Sequence, residues 1–280
     1  MPVLAQREES PQEQPLRSSV ELQFHNFGNF FQAREGIREQ SVNALSAAYR
    51  AFWSRAGNSP DFYARVAARR YSGGASETSY SGQIGASNYG STHWWDVSLE
   101  RTENGYAFEV EETLASADIT ALFAHYSYPV TTDWRLGADG YFERTRFDVE
   151  TGFENDYQSL GAQVRYGGFG DLLEPRFGYS VGERDVRDAT DSYDERSWYV
   201  ELRSEPAATI DVALRYRQRS RDYQTIDRAE DRAQWRLRGE LQQNEHISWA
   251  ASYTDEQVDS SLDGRDFDRS TAYIGVIYGF

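Results

Sequence analysis

The sequence predicts an all-β chain closed into a single antiparallel barrel of about fourteen strands, and three observations predict it. Apolar and polar residues alternate with period two in segments of roughly ten residues. These segments recur about every 15–20 residues, with turn-forming residues between them. Aromatic residues make up 15% of a chain whose mean hydropathy is only −0.75. No apolar run approaches the ~20 residues of a spanning helix, and disordered chains are poor in aromatics. Strands that turn one apolar face outward reconcile the two, because only every second residue need be apolar.

Composition narrows the function classes. At 280 residues the chain holds one large domain or two average ones. It has no cysteine, which excludes a disulfide framework and thiolate metal sites. Every one of its basic residues is Arg, and the formal charge is −16. Such an acidic balance argues against nucleic acid as a partner, since phosphate binding needs a basic face. The excess acid reads as solvated loops.

Taken in order, residues 1–17 hold three of the seven prolines, several charges and no periodic pattern. They read as a disordered lead, with the barrel occupying 18–280. Val3-Leu4-Ala5-Gln6 looks like the tail of a cleaved signal peptide, although no h-region of ~7–15 apolar residues follows Met1. From Val20 the period becomes two: Val20, Leu22 and Phe24 alternate with Glu21, Gln23 and His25. Residues 37–56 are ambiguous. Val42, Leu45, Tyr49, Phe52 and Trp53 recur at helical spacing, whereas Leu45, Ala47, Tyr49, Ala51 and Trp53 alternate as a strand does. That segment is either a further stave or a plug or loop helix.

Beyond residue 60 the unit repeats. Phe62–Ala68, Tyr80–Ala86, Trp95–Leu99, Tyr106–Val110, Leu122–Tyr126, Leu136–Phe142, Leu160–Tyr166 and Phe177–Val181 alternate in turn. Trp198–Leu202, Ile210–Tyr216, Ala233–Leu241, Ile247–Tyr253 and the terminal segment complete the series. The total is odd, and single-chain bacterial barrels have an even number of strands. Setting residues 37–56 aside gives fourteen, with sixteen or twelve as alternatives. Segments near ten residues match the ~9–11 a tilted strand needs to cross a bilayer. Connections fall into two alternating classes. Residues 129–133, 171–175, 205–208 and 243–246 are short; 149–156, 187–195, 220–231 and 255–269 are longer and acidic.

The terminal segment carries a resemblance. Ile274, Val276, Tyr278 and Phe280 share one face, and the sequence ends on the Phe. This resembles the C-terminal strand of bacterial outer-membrane β-barrels, which the barrel-assembly machinery recognises. The resemblance implies an outer-membrane location, contact with lipid bilayer and lipopolysaccharide, and both termini and the short turns on the periplasmic side.

The face opposite the lipid then becomes the functional one. It carries Arg65, Arg69, Arg165, Arg203, Arg215, Arg217, Arg236 and Arg238, together with Glu201, Asp211 and Glu240. Asp139, Glu143, Glu109 and Glu111 belong to the same face. Charges inside a barrel set ion selectivity, and the planar guanidinium fork suits carboxylates and phosphates. In one reading the arginines form a track in a water-filled pore favouring anions, which resembles the lumen of the small oligogalacturonate- and sialate-specific porins in architecture and arginine face. In the other, Arg and Asp/Glu pair across strands and knit the wall. A porin-like channel for small polar solutes follows from the first. A non-conducting structural barrel, or the membrane module of a polysaccharide-export complex, follows from the second. Homo-oligomers or envelope-complex partners are compatible with both.

An enzyme is not expected. The histidines are His25, His93, His125 and His246, and the sequence sets no nucleophile or acid pair beside them. No cofactor or metal is expected either. Asp255, Glu256, Asp259, Asp263, Asp266 and Asp268 lack the ligand order of an EF-hand, and neither Gly73-Gly74 nor Gly167-Gly168 leads into a phosphate loop.

Overall fold

The computed structural model describes residues 16–28, 42–54, 59–72, 78–89, 92–106, 116–147, 154–187, 191–262 and 266–280. Fourteen strands run in chain order: β1 (Leu16–Phe27), β2 (Val42–Trp53), β3 (Asp61–Tyr71), β4 (Thr78–Tyr89), β5 (Trp94–Tyr106), β6 (Ser116–Pro129) and β7 (Trp134–Phe147). They continue as β8 (Asn155–Tyr166), β9 (Glu174–Val186), β10 (Tyr193–Ala207), β11 (Ile210–Tyr223), β12 (Ala229–Gln242), β13 (Ile247–Ser260) and β14 (Phe267–Gly279). Each pairs antiparallel with its sequence neighbours, and β14 returns to β1, so the sheet closes and no edge remains.

The closing seam is well matched. Val20 lies opposite Tyr278, Leu22 opposite Val276 and Phe24 opposite Ile274, all facing outward. Ser18 and Phe280 exchange both backbone bonds, at 3.2 and 2.9 Å. The period of two thus puts the whole terminal face, Phe280 included, on the outer wall.

Outward positions are apolar and exposed all round. They include Leu45, Val66, Ile84, Leu122, Leu136, Leu160, Val200, Leu214 and Leu237. No stable soluble protein leaves so continuous an apolar surface in water; hydrocarbon is the medium that accommodates it. Aromatics band the belt. At the short-turn end stand Trp95, Tyr126, Tyr128, Trp134, Tyr166 and Trp249, with Trp134 and Tyr166 rings 4.7 Å apart. Nearer the other end Trp198, Tyr216 and Trp235 stack at 5.4 and 4.7 Å.

Three differences from the sequence expectation have physical causes. Residues 42–53 form a strand, because they pair with β1 and β3 along their length; the helical spacing of the same apolar residues was coincidental. Tyr106 ends β5 and starts no new segment, while Phe108, Val110, Glu109 and Glu111 lie outside the described residues, as does most of the 1–17 lead. Leu16 and Arg17 already belong to β1. The expected fourteen strands are therefore present, with β2 replacing the segment expected at 106–110.

The third difference is length. Strands run 11 to 15 residues, beyond the ten expected. At about 3.4 Å per residue and a tilt near 40°, thirteen residues rise roughly 34 Å, some 10 Å more than an apolar band of about 25 Å. The surplus lies at the end opposite the short turns. There Asp118, Asp156, Asp185, Asp194, Asp222, Asp231, Asp259 and Asp268 face outward as a collar. The segments 220–231 and 255–269, expected as acidic loops, are largely strand among the described residues: β11 reaches Tyr223, β12 starts at Ala229, β13 reaches Ser260 and β14 starts at Phe267.

Candidate functional site: the arginine-lined inner face

Register places every expected lumen residue that is described, so all but Glu109 and Glu111, on the inner wall. Leu202, Leu214, Trp235 and Leu237 are exposed outside, so their neighbours Arg203, Arg215, Arg236 and Arg238 point in. The same alternation turns Arg65 and Arg69 inward beside Val66, and Arg165, Arg217, Glu201, Asp211 and Glu240 inward beside Val164, Tyr216, Val200, Ile210 and Leu241.

Most of these groups are paired across strands. Arg215 Nε donates to Glu201 Oε2 at 2.7 Å, and Glu201 also stands 3.5 Å from Arg176. Arg203 Nε donates to Asp211 at 2.7 Å and its Nη2 reaches Glu205 at 3.1 Å. Arg165 pairs with Glu174, Arg65 with Glu21 at 3.7 Å and Arg238 with Glu240 at 3.8 Å. Arg217 Nε donates to Ser197 Oγ at 2.8 Å and lies 3.8 Å from Glu195. Arg69 reaches the Tyr71 hydroxyl at 3.5 Å. Arg236 has no carboxylate partner among the described residues. Its direct cross-strand neighbour on β11 is Arg215.

Strand β11 turns four arginines inward in succession, Arg215, Arg217, Arg219 and Arg221. Their exposure falls steadily towards the collar: 34%, 31%, 16% and 4%. Along β11 the inner wall is thus more solvated at mid-barrel than at the collar. Val42, Tyr71, Ala117, Phe147, Val186, Tyr193 and Val258 are buried at the collar end. So are three ion clusters. Glu195 accepts from Arg221 at 2.8 Å, Glu256 binds both Arg219 and Arg269, and Glu230 accepts from Arg232 at 2.8 Å and pairs with Arg228.

Arg219, Arg221, Arg232, Arg269, Glu195, Glu230 and Glu256 escape a sequence reading because their charge density imitates a loop. Only strict alternation, Arg215-x-Arg217-x-Arg219-x-Arg221, marks them as strand. Glu256 in particular, set among candidate cation ligands by sequence, faces inward on two guanidiniums.

Inward tyrosines add a second layer. Tyr199 donates to Gln163 at 2.8 Å and carries the Arg215 guanidinium 4.5 Å above its ring. Tyr63 donates to Asp96 at 3.1 Å, and Tyr157 to Glu195 at 3.1 Å. His125 is in the lumen, with Nδ1 2.7 Å from Asp139. His246 sits at a short turn, 3.1 Å from the Gly279 carbonyl. Chemically, the inner face offers fixed guanidiniums and phenols. Arginine outnumbers acid there, in a chain that is acidic overall.

No protein-family model matches the chain, and no curated protein matches it. Solved structures do. An anion-selective porin from Comamonas acidovorans is 8% identical with a TM-score of 0.50, covering 95% of this chain and 98% of that one. The outer-membrane-expressed OmpT of Vibrio cholerae is 12% identical with a TM-score of 0.50, covering 97% and 100%. A TodX monoaromatic hydrocarbon channel carrying the deltaS2 mutation is 9% identical with a TM-score of 0.55, covering 95% and 90%. At such identities the likeness is one of fold: the chain has the fold of outer-membrane β-barrel porins and channels.

Proposed function

We propose that the protein is an outer-membrane channel for small hydrophilic solutes that favours anions. The short turns and both described chain ends face the periplasm, and the acidic collar faces outward. The observation that carries this reading is the β11 ladder. Arg215 and Arg217 remain about one-third exposed inside the barrel, beside Arg236 on the neighbouring strand, which has no carboxylate partner among the described residues. Guanidiniums held in place by pairing and stacking raise the local concentration of anions without themselves reorganising.

Planar-bilayer measurements test it. Folded protein is expected to conduct and to show an anion-selective zero-current potential. Replacing Arg215, Arg217, Arg236 and Arg238 together by Ala is expected to move that potential towards cations. An unchanged potential would remove the arginines from the ion path.

A second reading, a non-conducting structural barrel or a polysaccharide-export module, is favoured by the packed collar end with its buried ion clusters. Absence of conductance from correctly folded protein would select it.

A further inference from the structure

Near the short turns the inner wall carries a row of like charges. Arg135 on β7 lies directly opposite Arg165 on β8, and Arg165 directly opposite Arg176 on β9. Like charges so placed destabilise a sheet, so their compensation is informative. Glu174 binds Arg165 and, at 2.6 Å, Arg176, while Glu201 stands 3.5 Å from Arg176. Arg135 has no carboxylate partner among the described residues. Its guanidinium instead sits 3.7 Å from the ring centre of Trp94, which also has Arg165 at 4.7 Å. The indole comes from β5 and spans β6, where its own cross-strand partner is the small Ser127. The Arg135 Nη1 is buried and makes no hydrogen bond.

We propose that Arg135, on its Trp94 platform, is a binding site for a small oxyanion, a carboxylate or phosphate group, at the short-turn mouth of the lumen. A guanidinium stacked on an indole has already lost most of its freedom, so ordering it on binding costs little. With Nη1 buried, the Nε and Nη2 edge of the guanidinium is the one that matches two oxygens of a carboxylate or phosphate, and the incoming charge offsets the repulsion among Arg135, Arg165 and Arg176. The site deepens the channel reading and rests on it for access: an anion would stop here between the periplasm and the β11 ladder.

Calorimetric titration of folded, detergent-solubilised protein at low ionic strength tests the site, with inorganic phosphate and acetate as separate probes. Saturable binding to one site is expected. Arg135→Ala should weaken it about tenfold and Trp94→Leu severalfold. Arg50 on β2 lies opposite the inward Arg65, five strands from Arg135 on β7, and Arg50→Ala should leave the affinity within about twofold. Wild-type affinity in Arg135→Ala, or an equal loss in Arg50→Ala, would overturn the site in favour of a diffuse lumen field. Should Arg135→Ala not fold, Arg135→Lys keeps the charge without the fork. An undiminished affinity there would also overturn it. Conduction without saturable binding sinks the site alone, and binding without conduction sinks the channel alone.

Discussion

Glu195 shows how charge is held at the packed end of the lumen. Its carboxylate accepts from Arg221 Nε at 2.8 Å and from the Tyr157 hydroxyl at 3.1 Å, and both members of the ion pair are 4% exposed. Two charges removed from water are tolerable only while each satisfies the other. Glu195→Ala removes the carboxylate that Arg221 Nε meets at 2.8 Å and that stands 3.8 Å from Arg217. A loss of about 3–5 kcal/mol is expected, read as a lowered denaturant midpoint in reversible unfolding from detergent or vesicles. Arg215–Glu201, where the arginine is a third exposed, is a weaker link, because water shares in its solvation. A Glu195→Ala protein as stable as wild type would mean that solvent reaches the collar end of the lumen.

Between strands, contact is set by small residues under large ones. A Cβ at Gly178 would fall 2.2 Å from the Tyr199 ring, and one at Gly85 would fall 2.3 Å from the Tyr63 ring. Each tyrosine lies across the neighbouring strand's backbone, which only glycine permits. Gly178→Ala should therefore lift Tyr199 away, breaking its bond to Gln163 and its contact with Arg215. A cost of about 1–3 kcal/mol is expected, with a shift in ion selectivity that a purely structural defect would not produce.

The seam between β1 and β14 poses a different test. Phe280 is an exposed outward residue whose backbone completes the β1 pairing. On the reading that its side chain serves assembly, Phe280→Ala should lower the folded fraction in cells while refolding in detergent proceeds unchanged. Equal loss in both settings would make the residue structural. The outward face of the seam and the inward side of Arg203 to Arg238 were legible in the sequence, because a period of two leaves no freedom once one outer face is fixed. The strand number came out at fourteen only because leaving out 42–53 offset counting a segment at 106–110. The upper halves of β11, β12 and β13 were not. Asp231 opposite Asp259 and Arg219 opposite Arg232 offer no apolar contrast, so alternation survives only as inside arginine against outside aspartate. Pairings such as Arg219 with Glu256, or Arg135 with Trp94, skip one strand and follow from barrel curvature, which a sequence does not display.

At the scale of the whole molecule, the charge is sorted by surface. Aspartates of the collar face outward beyond the apolar belt, while the inward positions of the described strands hold somewhat more arginine than carboxylate, so a chain of formal charge −16 keeps most of its excess acid off the described inner wall. Fourteen strands about 4.8 Å apart and tilted near 40° give a backbone radius of roughly 14 Å. After the side chains are subtracted, the axis lies several ångström from the guanidiniums. The screening length is about 10 Å at 0.1 M salt and about 3 Å at 1 M, so the lumen field reaches the axis in the first case and fades before it in the second. Anion preference, measured as zero-current potential across a fixed salt ratio, is thus expected to be strong below about 0.1 M and nearly lost by 1 M. A preference unchanged over that range would mean that ions pass in direct contact with Arg215 and Arg217, through a constriction too narrow for screening to act. Cation preference at low salt would mean that the aspartate collar, and not the lumen, controls entry.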